Sequence, residues 1–539
     1  LDKARLVRAL KVSELAIMLL ALVGFQLQSL VLLFVALFLM GTQSAFFGPV
    51  KYAILPQHLR EDELVAGNGL VEMGTFVAIL AGTIVGALIV AIPNVGVLLT
   101  GGALVLTSLV GIGSARFVPS APPQQVGRLD FNLVRATRDT IRIGKRDRKV
   151  WLAILGASWF WAVGAFVLGQ MPRIAESLGG DQNALTWMLA SFSIGIGIGS
   201  VLCEKLSHGR IEVGRVPLAG VAMAVALYAL GSVETIQGAC IAVGLLGGFG
   251  GLFIVPLYAL MQHRAKESER SRVIAANNIV NAAFMVGAAV YATLRLTSGT
   301  ALESLVREVA ILHLVVTLIT LVVVYREVVR LAIGRVVKTM YRIDVDGLDA
   351  HLPEEGAALL VANHVSFVDA FILGGLCKRP VRFVMDHRMA RMRGLRWFFR
   401  LAKVIPIASR KEDPELLEAA FGEIDRALAE GEIVGIFPEG KCTRDGETDV
   451  FRPGAERILK AQPVPVVPVL LEGLWGSFFS YKNGYPMTSR PRRWWSRLQV
   501  RAGAPLPATS TADEMRDAVE ALRARADEDA PTPKGLTLV

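Results

Sequence analysis

The stretch Asn363-His364-Val365-Ser366-Phe367-Val368-Asp369 closely follows an apolar run, Ala357 to Val361, and places a histidine five residues before an aspartate. Further along the chain, Phe437-Pro438-Glu439-Gly440 ends a second apolar run that begins at Ile433. Short apolar runs bounded by polar turns predict buried strands, and a mostly buried sheet with intervening helices is typical of an α/β domain. We therefore expect an α/β domain with polar side chains at the ends of at least two strands.

Composition separates this domain from the rest of the chain. The sequence has 539 residues, of which 53% are hydrophobic, and its mean hydropathy is +0.49. This bias indicates a membrane protein. It is concentrated in residues 1–330, whereas residues 340–539 alternate like a soluble domain. The net charge of +10 lies largely in loops between apolar segments, which favours retained cytoplasmic loops over nucleic-acid binding.

About ten segments are long enough to cross a bilayer, since a helix needs ~20 apolar residues to span ~30 Å of hydrocarbon. They lie near residues 12–28, 30–50, 65–91, 95–115, 150–171, 184–203, 216–233, 237–262, 273–295 and 306–325. Alternate connecting loops are basic, above all the long loop 116–149. The positive-inside rule places these loops in the cytoplasm, and the chain is predicted to return there after Tyr325. Glycine-rich runs, Gly195 to Gly199 and Gly244 to Gly251, are expected to allow close helix packing.

Polar side chains inside membrane spans are costly and therefore indicate function. Lys51, Asn68 and Glu72 lie in the stretch Gly48 to Gly74 and are the transport candidates. Lys51 could instead extend toward the membrane surface from a helix end, and Glu72 suits a structural role equally well. Three asparagines are predicted to join helices by hydrogen bonds: Asn277, Asn278 and Asn281.

The histidine and aspartate of the first stretch suit proton transfer. We expect His364 in the turn after the strand and Asp369 in the first turn of a helix. The carboxylate can then hold one imidazole nitrogen, while the other nitrogen accepts a proton from a hydroxyl. That hydroxyl could attack a thioester carbonyl directly, with no acyl-enzyme. As an alternative, Ser366 and Asp369 could form a capping box that only starts a helix.

A polar pocket is expected around the second stretch. Gly440 permits close backbone approach, and Glu439 could accept from a glycerol hydroxyl. Lys441 and Arg444 could hold a phosphate, although Arg444 also suits a surface charge. Arg410, which follows another apolar run, is a further phosphate candidate.

The cysteines do not indicate a disulfide or a metal site, because none has the required spacing. Cys442 lies near the second stretch and is interpreted as incidental. The four cysteines are Cys203, Cys240, Cys377 and Cys442.

The helical part resembles the major facilitator superfamily. The long basic loop divides four spans from six, and the charged opening Asp2 to Arg8 is similar to the loop between the second and third helices of that superfamily. The resemblance implies two further helices before Leu1 and a substrate between two six-helix halves. Within the superfamily, Gly48 to Gly74 is similar to bacterial lysophospholipid transporters. This implies movement of lysophospholipid from the outer to the inner leaflet.

Residues 340–510 resemble the glycerophospholipid acyltransferases related to lysophosphatidate acyltransferase. The first family motif matches fully at 363–369, the third at 437–440 and the fourth at 464–469. In the second motif Arg410 fits, but Val404, Ile407 and Ala408 replace the usual glycine, phenylalanine and isoleucine. Lys441 stands where threonine is frequent. These departures bear on the acceptor headgroup more than on the chemistry.

The acyltransferase resemblance also assigns roles. It implies His364 as general base and Asp369 as the residue that orients it. Further contacts to the acceptor or substrate are predicted for Glu439, Gly440, Arg410, Asn363, Ser366, Lys441 and Arg444. The acyl donor is expected to be a thioester of acyl carrier protein or coenzyme A, with no bound cofactor or metal. Bacterial relatives are often joined to an AMP-forming acyl-carrier-protein ligase, so Pro531 to Lys534 is expected to lead toward such a domain.

We therefore predict a multidomain protein of the bacterial inner membrane. A polytopic α-helical domain of the major facilitator type (1–325) is followed by an interfacial linker helix (326–352), a cytoplasmic α/β acyltransferase domain (353–510), and a C-terminal helix and linker (511–539). Two basic-aromatic stretches, His387 to Arg400 and Arg492 to Arg497, are expected to contact membrane lipid or, alternatively, acidic acyl carrier protein.

Three functions remain open at this point. The first is lysophospholipid transport coupled to re-acylation, with an acyl-carrier-protein synthetase as a possible partner. The second is a 1-acylglycerol-3-phosphate acyltransferase with a non-transporting membrane anchor. The third is a transporter with a regulatory, non-catalytic domain.

Overall fold

The computed structural model describes residues 2–60, 63–90, 92–122, 132–207, 210–488 and 495–528. The chain divides between Val323 and Val324 into two compact units. This division lies close to the predicted end of the helical domain at residue 325. Arg492 to Trp494 and Pro531 to Lys534, on which two predictions fall, lie outside the described residues.

The first unit is helical, and its long helices coincide with the predicted spans. The helices are α1 (Lys3–Gln26), α2 (Leu30–His58), α3 (Leu64–Val90), α4 (Gly96–Ala115), α5 (Leu133–Gly144), α6 (Arg148–Ser177), α7 (Gln182–Ser207), α8 (Val216–Leu230), α9 (Ile236–Arg264), α10 (Arg270–Thr297) and α11 (Leu302–Val323). Within the described ranges, nine helical segments are long and apolar enough to cross a membrane, and α1 is not among them. The short helix α5 lies inside the predicted long loop.

Several helices begin at a polar side chain that accepts from the first unpaired amides. Asp147 accepts from two backbone N–H groups at the start of α6, and Thr235 accepts from one at the start of α9. Helix α2 continues through Pro49 and Pro56 to His58, well beyond the predicted end of the second span at residue 50. Lys51 therefore lies inside a helix and not at its end.

Helices α7 and α9 pack against each other at glycines. A Cβ added to Gly195 would lie 2.1 Å from the carbonyl oxygen of Gly244, and one added to Gly199 would lie 1.9 Å from that of Gly248. No side chain fits at these separations, so the two backbones touch directly. This confirms the predicted role of the glycine-rich runs.

The second unit alternates helices and strands. The helices are α12 (Tyr325–Met340), α13 (Leu348–His351), α14 (Asp369–Leu376), α15 (His387–Ala390), α16 (Arg396–Leu401), α17 (Pro414–Ala429), α18 (Gly454–Ala461) and α19 (Ala512–Glu528). The strands are β1 (Arg342–Asp346), β2 (Ala358–Ala362), β3 (Val381–Asp386), β4 (Ile405–Ile407), β5 (Ile433–Ile436), β6 (Val466–Glu472) and β7 (Arg497–Ala502). Short apolar runs in the sequence predict strands at 358–362, 381–385, 404–408, 433–437, 464–471 and 498–502, and strands β2 to β7 match these six runs.

The strands form one sheet in the order β1-β7-β6-β2-β5-β3-β4. All neighbours are parallel except β6 and β7. Strand β2 is central and all its residues are buried, as expected for a parallel sheet covered on both faces. Leu360 packs in the same core as α12 and α14, whereas Leu359 and Val361 pack in the core formed by α17, α18 and α19.

The predicted linker helix over 326–352 is wrong beyond Met340. After Tyr341 the chain forms β1, which pairs with β7 from Arg342↔Arg497 to Asp346↔Arg501. Most β1 residues are exposed, and charged residues alternate with apolar ones along the strand. This edge strand therefore lacks the apolar run by which the other strands were predicted.

Helix α12 packs closely on α14, the helix that begins at Asp369. A Cβ on Gly375 would lie 2.7 Å from the backbone nitrogen of Gly334, and a Cβ on Gly334 would lie 2.7 Å from the carbonyl oxygen of Gly375. The two helix backbones therefore meet at this glycine pair, which fixes α14 against the face of the sheet.

Candidate functional site

The loops after β2 and β5 meet at one edge of the sheet. Val361 pairs with Ile436, and three residues further along each strand come His364 and Glu439. The carboxyl ends of adjacent parallel strands emerge together, which is where sites form in such sheets. The backbone N–H of His364 donates to Glu439 Oε1 at 2.7 Å, and its carbonyl accepts from the Thr443 N–H at 2.8 Å. The loop after β5 thus holds both sides of the histidine backbone.

His364 and Asp369 form the predicted pair. His364 Nδ1 lies 2.9 Å from Asp369 Oδ2, which also accepts from the backbone N–H groups of Val365 at 2.7 Å and Ser366 at 2.8 Å. Asp369 is fully buried, while 21% of the His364 side chain is exposed. The imidazole stacks on Phe437 with ring centroids 4.3 Å apart. The carboxylate and the aromatic ring therefore fix the imidazole, and Nε2 is the nitrogen left for chemistry.

The alternative that these residues only start a helix explains part of the geometry. Helix α14 begins at Asp369, and the Ser366 N–H donates to the Asp369 carboxylate, which is half of a capping box. The same carboxylate oxygen holds the ring of His364. One atom thus both secures the turn and orients the imidazole.

Three side chains predicted to contact the substrate instead form hydrogen bonds with the protein's own backbone. The Asn363 amide donates to the carbonyl of Leu471 at 3.0 Å and accepts from its N–H at 2.8 Å. Ser366 Oγ donates to a backbone carbonyl at 3.3 Å. Glu439 Oε2 accepts from the Asp449 N–H at 3.1 Å, so this carboxylate has two backbone partners where a glycerol hydroxyl was predicted. Burial raises the pKa of Glu439, and its backbone hydrogen bonds act in the opposite direction. These buried groups shape the loops.

Cys442 contacts the other ring nitrogen of His364, Nε2. Its Sγ lies 3.1 Å from His364 Nε2, and only 7% of the residue is exposed. Burial, together with the charges of Asp369 and Glu439, raises the pKa of the Cys442 thiol well above its ordinary value, so the thiol keeps its proton. Cys442, interpreted from the sequence as incidental, is therefore part of the site.

Cationic side chains lie along the loop after β5. Gly440 has φ +70°, and a Cβ there would lie 3.0 Å from Cζ of Arg452, so the guanidinium rests on bare backbone that only glycine provides. Lys441 Nζ pairs with Asp449 Oδ2 at 2.8 Å on the surface. Arg452 was not predicted. The signal in the sequence that could have identified Arg452 is a basic residue shortly after the third motif.

The two remaining predicted arginines differ in position. The Arg444 guanidinium lies 5.5 Å from the centre of the Tyr481 ring, which packs edge-on against Phe367 of the first motif. Arg410 is exposed beyond β4, and two strands separate β4 from β2. At ~4.8 Å per strand, three intervals place β4 roughly 14 Å from β2. The structure brings Arg444 near the first motif and leaves Arg410 at the edge of the sheet.

An apolar groove opens beside α14 within the second unit. One wall comes from α12, and the others come from α14, β3 and the segment around α16. The groove includes Ala370, the residue after Asp369, and its lining is mainly aliphatic and aromatic. Representative lining residues are Val329, Ile333, Phe371, Phe383, Phe398 and Val404.

The transport candidates meet inside the helical unit, around Tyr52. Lys51 donates to a threonine hydroxyl of α3 at 3.1 Å, and Glu72 accepts from the Tyr52 hydroxyl. Asn68 and Gln262 exchange two hydrogen bonds of 2.6 and 2.9 Å, which join α3 to α9, and Gln262 also donates to the Tyr52 carbonyl at 3.3 Å. Glu72, Asn68 and Gln262 have no exposed surface. Tyr52 and Gln262 were not predicted.

Further polar contacts extend this cluster. Ser158 donates to Asn281 at 2.7 Å, which joins α6 to α10 and confirms the predicted role for that asparagine. Tyr258 stacks on Tyr52 with centroids 4.7 Å apart and accepts from Trp161 at 2.8 Å. An apolar cavity of about 400 Å³ lies between α6, α10 and α11.

Histidine, cysteine and carboxylate side chains lie close together at the site around His364, within the part of the chain that the structure describes. No group of three or more histidine, cysteine, aspartate or glutamate side chains there could hold a metal ion.

Comparison with protein families matches both parts of the chain. The model of the Major Facilitator Superfamily matches residues 12–289 and 165–340, and the Acyltransferase model matches residues 342–472. Among solved structures, the chain is similar to the crystal structure of the 1-acyl-sn-glycerophosphate acyltransferase PlsC from Thermotoga maritima, with 21% identity and a TM-score of 0.30 over 39% of this chain and 83% of that one. It is also similar to the human organic anion transporter MFSD10, with 13% identity and a TM-score of 0.49 over 59% of this chain and 77% of that one.

Curated relatives carry the name lysophospholipid transporter LplT. The chain is 32% identical over 244 residues to that of Klebsiella pneumoniae strain 342, covering 44% of this chain and 59% of the relative. It is 31% identical over 239 residues to that of Pectobacterium carotovorum, covering 43% and 56%. The chain thus spans less than two thirds of the length of these relatives. The family matches nevertheless show that the chain belongs to the major facilitator superfamily and carries an acyltransferase domain after its membrane helices.

Proposed function

We propose that the protein brings a lysophospholipid to the cytoplasmic leaflet of a bacterial inner membrane and restores its missing acyl chain from an acyl thioester. The chemistry is carried by one observation, the 2.9 Å contact between His364 Nδ1 and the buried Asp369 carboxylate. Transport is supported by the buried polar cluster around Tyr52, in a chain similar to proteins named lysophospholipid transporters.

His364 acts as general base in the proposed reaction. Because Asp369 holds Nδ1–H, Nε2 takes the proton of the lysophospholipid hydroxyl as the oxygen attacks the thioester carbonyl. A C–O bond forms, the C–S bond breaks, and the proton passes from the imidazolium to the departing thiolate. Asp369 keeps its charge and stabilises the imidazolium. General base catalysis of this kind contributes ~10²–10⁴-fold to the rate.

The acceptor phosphate is assigned to the cationic groups around Gly440. Arg452 already rests on the bare backbone there, and Lys441 is held nearby by Asp449. An exposed ion pair of this kind is worth only ~0–1 kcal/mol, so a phosphate can replace the carboxylate at little cost. The position of Arg410 at the sheet edge favours Arg452 over Arg410 for this role.

The groove beside α14 suits the acyl chain. It includes Ala370, the residue after Asp369, and is lined mainly by apolar side chains of α12, α14 and β3. Each buried CH₂ group of an acyl chain contributes ~0.8 kcal/mol. We propose a thioester of acyl carrier protein or coenzyme A as donor. An acyl-carrier-protein synthetase, as a separate subunit or domain, would supply the first of these.

The polar cluster in the helical unit suits a charged headgroup. Lys51 and Glu72 lie on adjacent helices and offer opposite charges, as the headgroup of lysophosphatidylethanolamine does. The Asn68–Gln262 pair joins α3 to α9 beside them, so it would break and form again if these helices separate during transport. The basic loops support a cytoplasmic position for the acyltransferase domain and location in the inner membrane.

Acyl transfer in detergent tests the chemistry. We expect His364→Ala to lose at least ~100-fold in rate, whereas His351→Ala, in the short helix α13 of the same domain, keeps the wild-type rate. A wild-type rate in His364→Ala would contradict the proposed reaction and favour a regulatory domain.

A leaflet-resolved assay in liposomes tests the transport. Labelled lysophospholipid added to one leaflet should cross faster with the protein present, and His364→Ala should still move it without acylating it. Equal movement with and without the protein would leave a 1-acylglycerol-3-phosphate acyltransferase with a non-transporting membrane anchor.

A further inference from the structure

Three aromatic rings meet beside the first motif, two of them on the loop after β6. The centre of the Tyr481 ring lies 5.8 Å from the centres of both Phe367 and Tyr485, and the latter two are 6.4 Å apart. The angles between the three ring planes are 85°, 88° and 90°. We call Phe367, Tyr481 and Tyr485 the aromatic corner, because their planes are mutually perpendicular. The proposed acyl transfer leaves these rings without a role.

The aromatic corner is attached to the turn that carries the catalytic pair. Phe367 lies between His364 and Asp369 in the sequence. Its N–H donates to the carbonyl of Phe479 at 3.1 Å, and Ser366 Oγ donates to the same carbonyl at 3.3 Å. The loop after β6 is therefore held against this turn, so the corner lies beside the site of acyl transfer.

The aromatic corner is open to solvent. The Tyr485 side chain is 63% exposed, and Phe367 and Tyr481 are partly exposed. Aromatic rings stabilise a fold mainly through the area that they bury. Packing therefore accounts for the exposed ring of Tyr485 less well than contact with a ligand does.

Perpendicular rings at these separations suit a cation. The face of an aromatic ring is negative, and a cation is attracted to it within about 6 Å of the ring centre. Three such rings can direct their faces at one common point about 4–5 Å from each centre, which lies inside that range. Groups of aromatic rings of this kind bind quaternary ammonium ions.

A guanidinium beside the aromatic corner narrows the choice of ligand. Cζ of Arg444 lies 5.5 Å from the centre of the Tyr481 ring. This positive charge would repel a simple amine, because like charges at such short range disfavour each other. A zwitterionic headgroup avoids the repulsion, since its phosphate can pair with Arg444 while its amine faces the rings.

We propose that the aromatic corner binds the cationic amine of a zwitterionic lysophospholipid headgroup, ethanolamine or an N-methylated form of it, and so selects the acyl acceptor. This inference rests on the proposed acyltransferase function. Arg444, together with the cationic groups around Gly440, holds the neighbouring phosphate. An acceptor without the amine keeps the phosphate contacts and loses the contacts with the three rings.

The acceptor selectivity of the full chain in a nonionic detergent tests the aromatic corner. With palmitoyl-coenzyme A or palmitoyl-acyl carrier protein as donor, four acceptors with the same acyl chain are compared: lysophosphatidylethanolamine, lysophosphatidylcholine, lysophosphatidylglycerol and lysophosphatidate. We expect the wild-type kcat/KM to be at least ~10-fold higher for an amine-bearing acceptor than for the other two. The better of the two amine-bearing acceptors distinguishes ethanolamine from choline.

Substitutions at one exposed ring identify the cause of the preference. Tyr485→Leu removes the ring and keeps an apolar side chain, so KM for the amine-bearing acceptors should rise about 3–30-fold while KM for lysophosphatidylglycerol does not rise. Tyr485→Phe retains the ring and should restore the preference. Phe421→Leu is the matched control, because it removes a ring that lies beneath Arg457 on α17, and it should keep the wild-type preference.

The outcomes separate this inference from the proposed reaction. A wild-type kcat/KM for the amine-bearing acceptors no higher than for the other two overturns the aromatic corner as a headgroup site and leaves acyl transfer in place. A KM in Tyr485→Leu that is unchanged, or that rises equally for all four acceptors, does the same. Absence of acyl transfer to every acceptor by the wild type overturns the proposed reaction and this inference with it. Tyr481→Leu decides the matter by the same comparison if Tyr485→Leu does not fold.

Discussion

Replacing Asp369 by asparagine keeps the size of the side chain and removes its charge. Asp369 Oδ2 accepts three hydrogen bonds, from His364 Nδ1 at 2.9 Å and from the backbone N–H groups of Val365 at 2.7 Å and Ser366 at 2.8 Å. An asparagine oxygen can keep the two backbone bonds. Because the same Oδ2 position also faces Nδ1, the amide oxygen keeps the hydrogen bond from Nδ1–H as well, and what is lost is the negative charge that stabilises the imidazolium.

The expected loss of rate follows from the missing negative charge at position 369. A charge-assisted hydrogen bond contributes ~1.5–3 kcal/mol and a neutral one ~0.5–1.5 kcal/mol, so the imidazolium loses about 1–2 kcal/mol of stabilisation in the transition state. At 1.36 kcal/mol per factor of ten, this is about 5–30-fold in rate. We therefore expect Asp369→Asn to keep a correctly oriented imidazole and to transfer acyl groups about 5–30-fold more slowly than the wild type. Folding should change little, because the backbone bonds remain.

Initial rates of acyl transfer by the full chain in detergent check this expectation. We expect kcat/KM of Asp369→Asn to fall by the stated factor, mainly through kcat. Asp413→Asn is the matched control, because Asp413 accepts from the Leu416 N–H at 2.9 Å at the start of α17 and asparagine caps a helix equally well. An Asp369→Asn rate within about twofold of the wild type, at an unchanged melting temperature, would refute the assignment of Asp369 as the partner of the base.

Three further substitutions, one of them with a matched control, test other parts of the molecule. Arg452→Ala should raise KM for the lysophospholipid about tenfold by removing a charge-assisted contact, and an unchanged KM would contradict the assigned phosphate site. Gly375→Val should destabilise the second unit by at least ~1–3 kcal/mol, since its Cβ would lie 2.7 Å from a backbone nitrogen of α12. By contrast, Gly422→Ala, with no atom within 4 Å of the added Cβ, should stabilise the protein by ~0.5–1 kcal/mol, and equal melting temperatures for the two variants would contradict this packing. Gln262→Leu leaves the buried Asn68 amide without two hydrogen bonds at a cost of about 1–3 kcal/mol. Lysophospholipid movement in liposomes should therefore fall at least about fivefold, while acyl transfer in detergent stays at the wild-type rate. Undiminished movement would exclude a role for this pair.

Strands with an apolar run were predictable, and the strand without one was not. Strand β2 is buried along its whole length, so its sequence is nearly continuous in apolar residues. Strand β1 is mostly exposed at the sheet edge and contains two aspartates, so its pattern could not be told from a polar turn. Its place in the sheet depends on pairing with β7, which lies far away in the sequence.

The contact between His364 and Asp369 was predictable, whereas the partners of the other predicted residues were not. The five-residue spacing of His364 and Asp369 predicted their contact, because both lie at one strand-to-helix turn. Asn363 and Glu439 bond to backbone groups, and a sequence does not distinguish a polar side chain that binds backbone from one that binds substrate. Cys442 reaches His364 across 78 residues. That contact exists only because β2 and β5 are neighbours, an arrangement that local pattern does not specify.

The helical unit shows the same limit. The glycine-rich runs predicted close packing, because two helices without side chains at their contact can approach until their backbones meet. The polar cluster was not predictable in this way. The sequence does not show that α2, α3 and α9 bring Tyr52 and Gln262 together. Helix α2 also continues through two prolines to His58, beyond the predicted end of the second span at residue 50.

The double attachment of His364 to the loop after β5 has a consequence for local opening. The amide hydrogen of His364 is held by Glu439, and the amide hydrogen of Thr443 is held by His364, so neither loop can leave the sheet edge without releasing the other. In hydrogen-exchange measurements these two amides should therefore become accessible to deuterium together, with one shared opening free energy, although they lie on opposite sides of a long intervening segment. Substitutions that loosen either loop would then lower the fraction of molecules holding an assembled base, without touching any reacting atom.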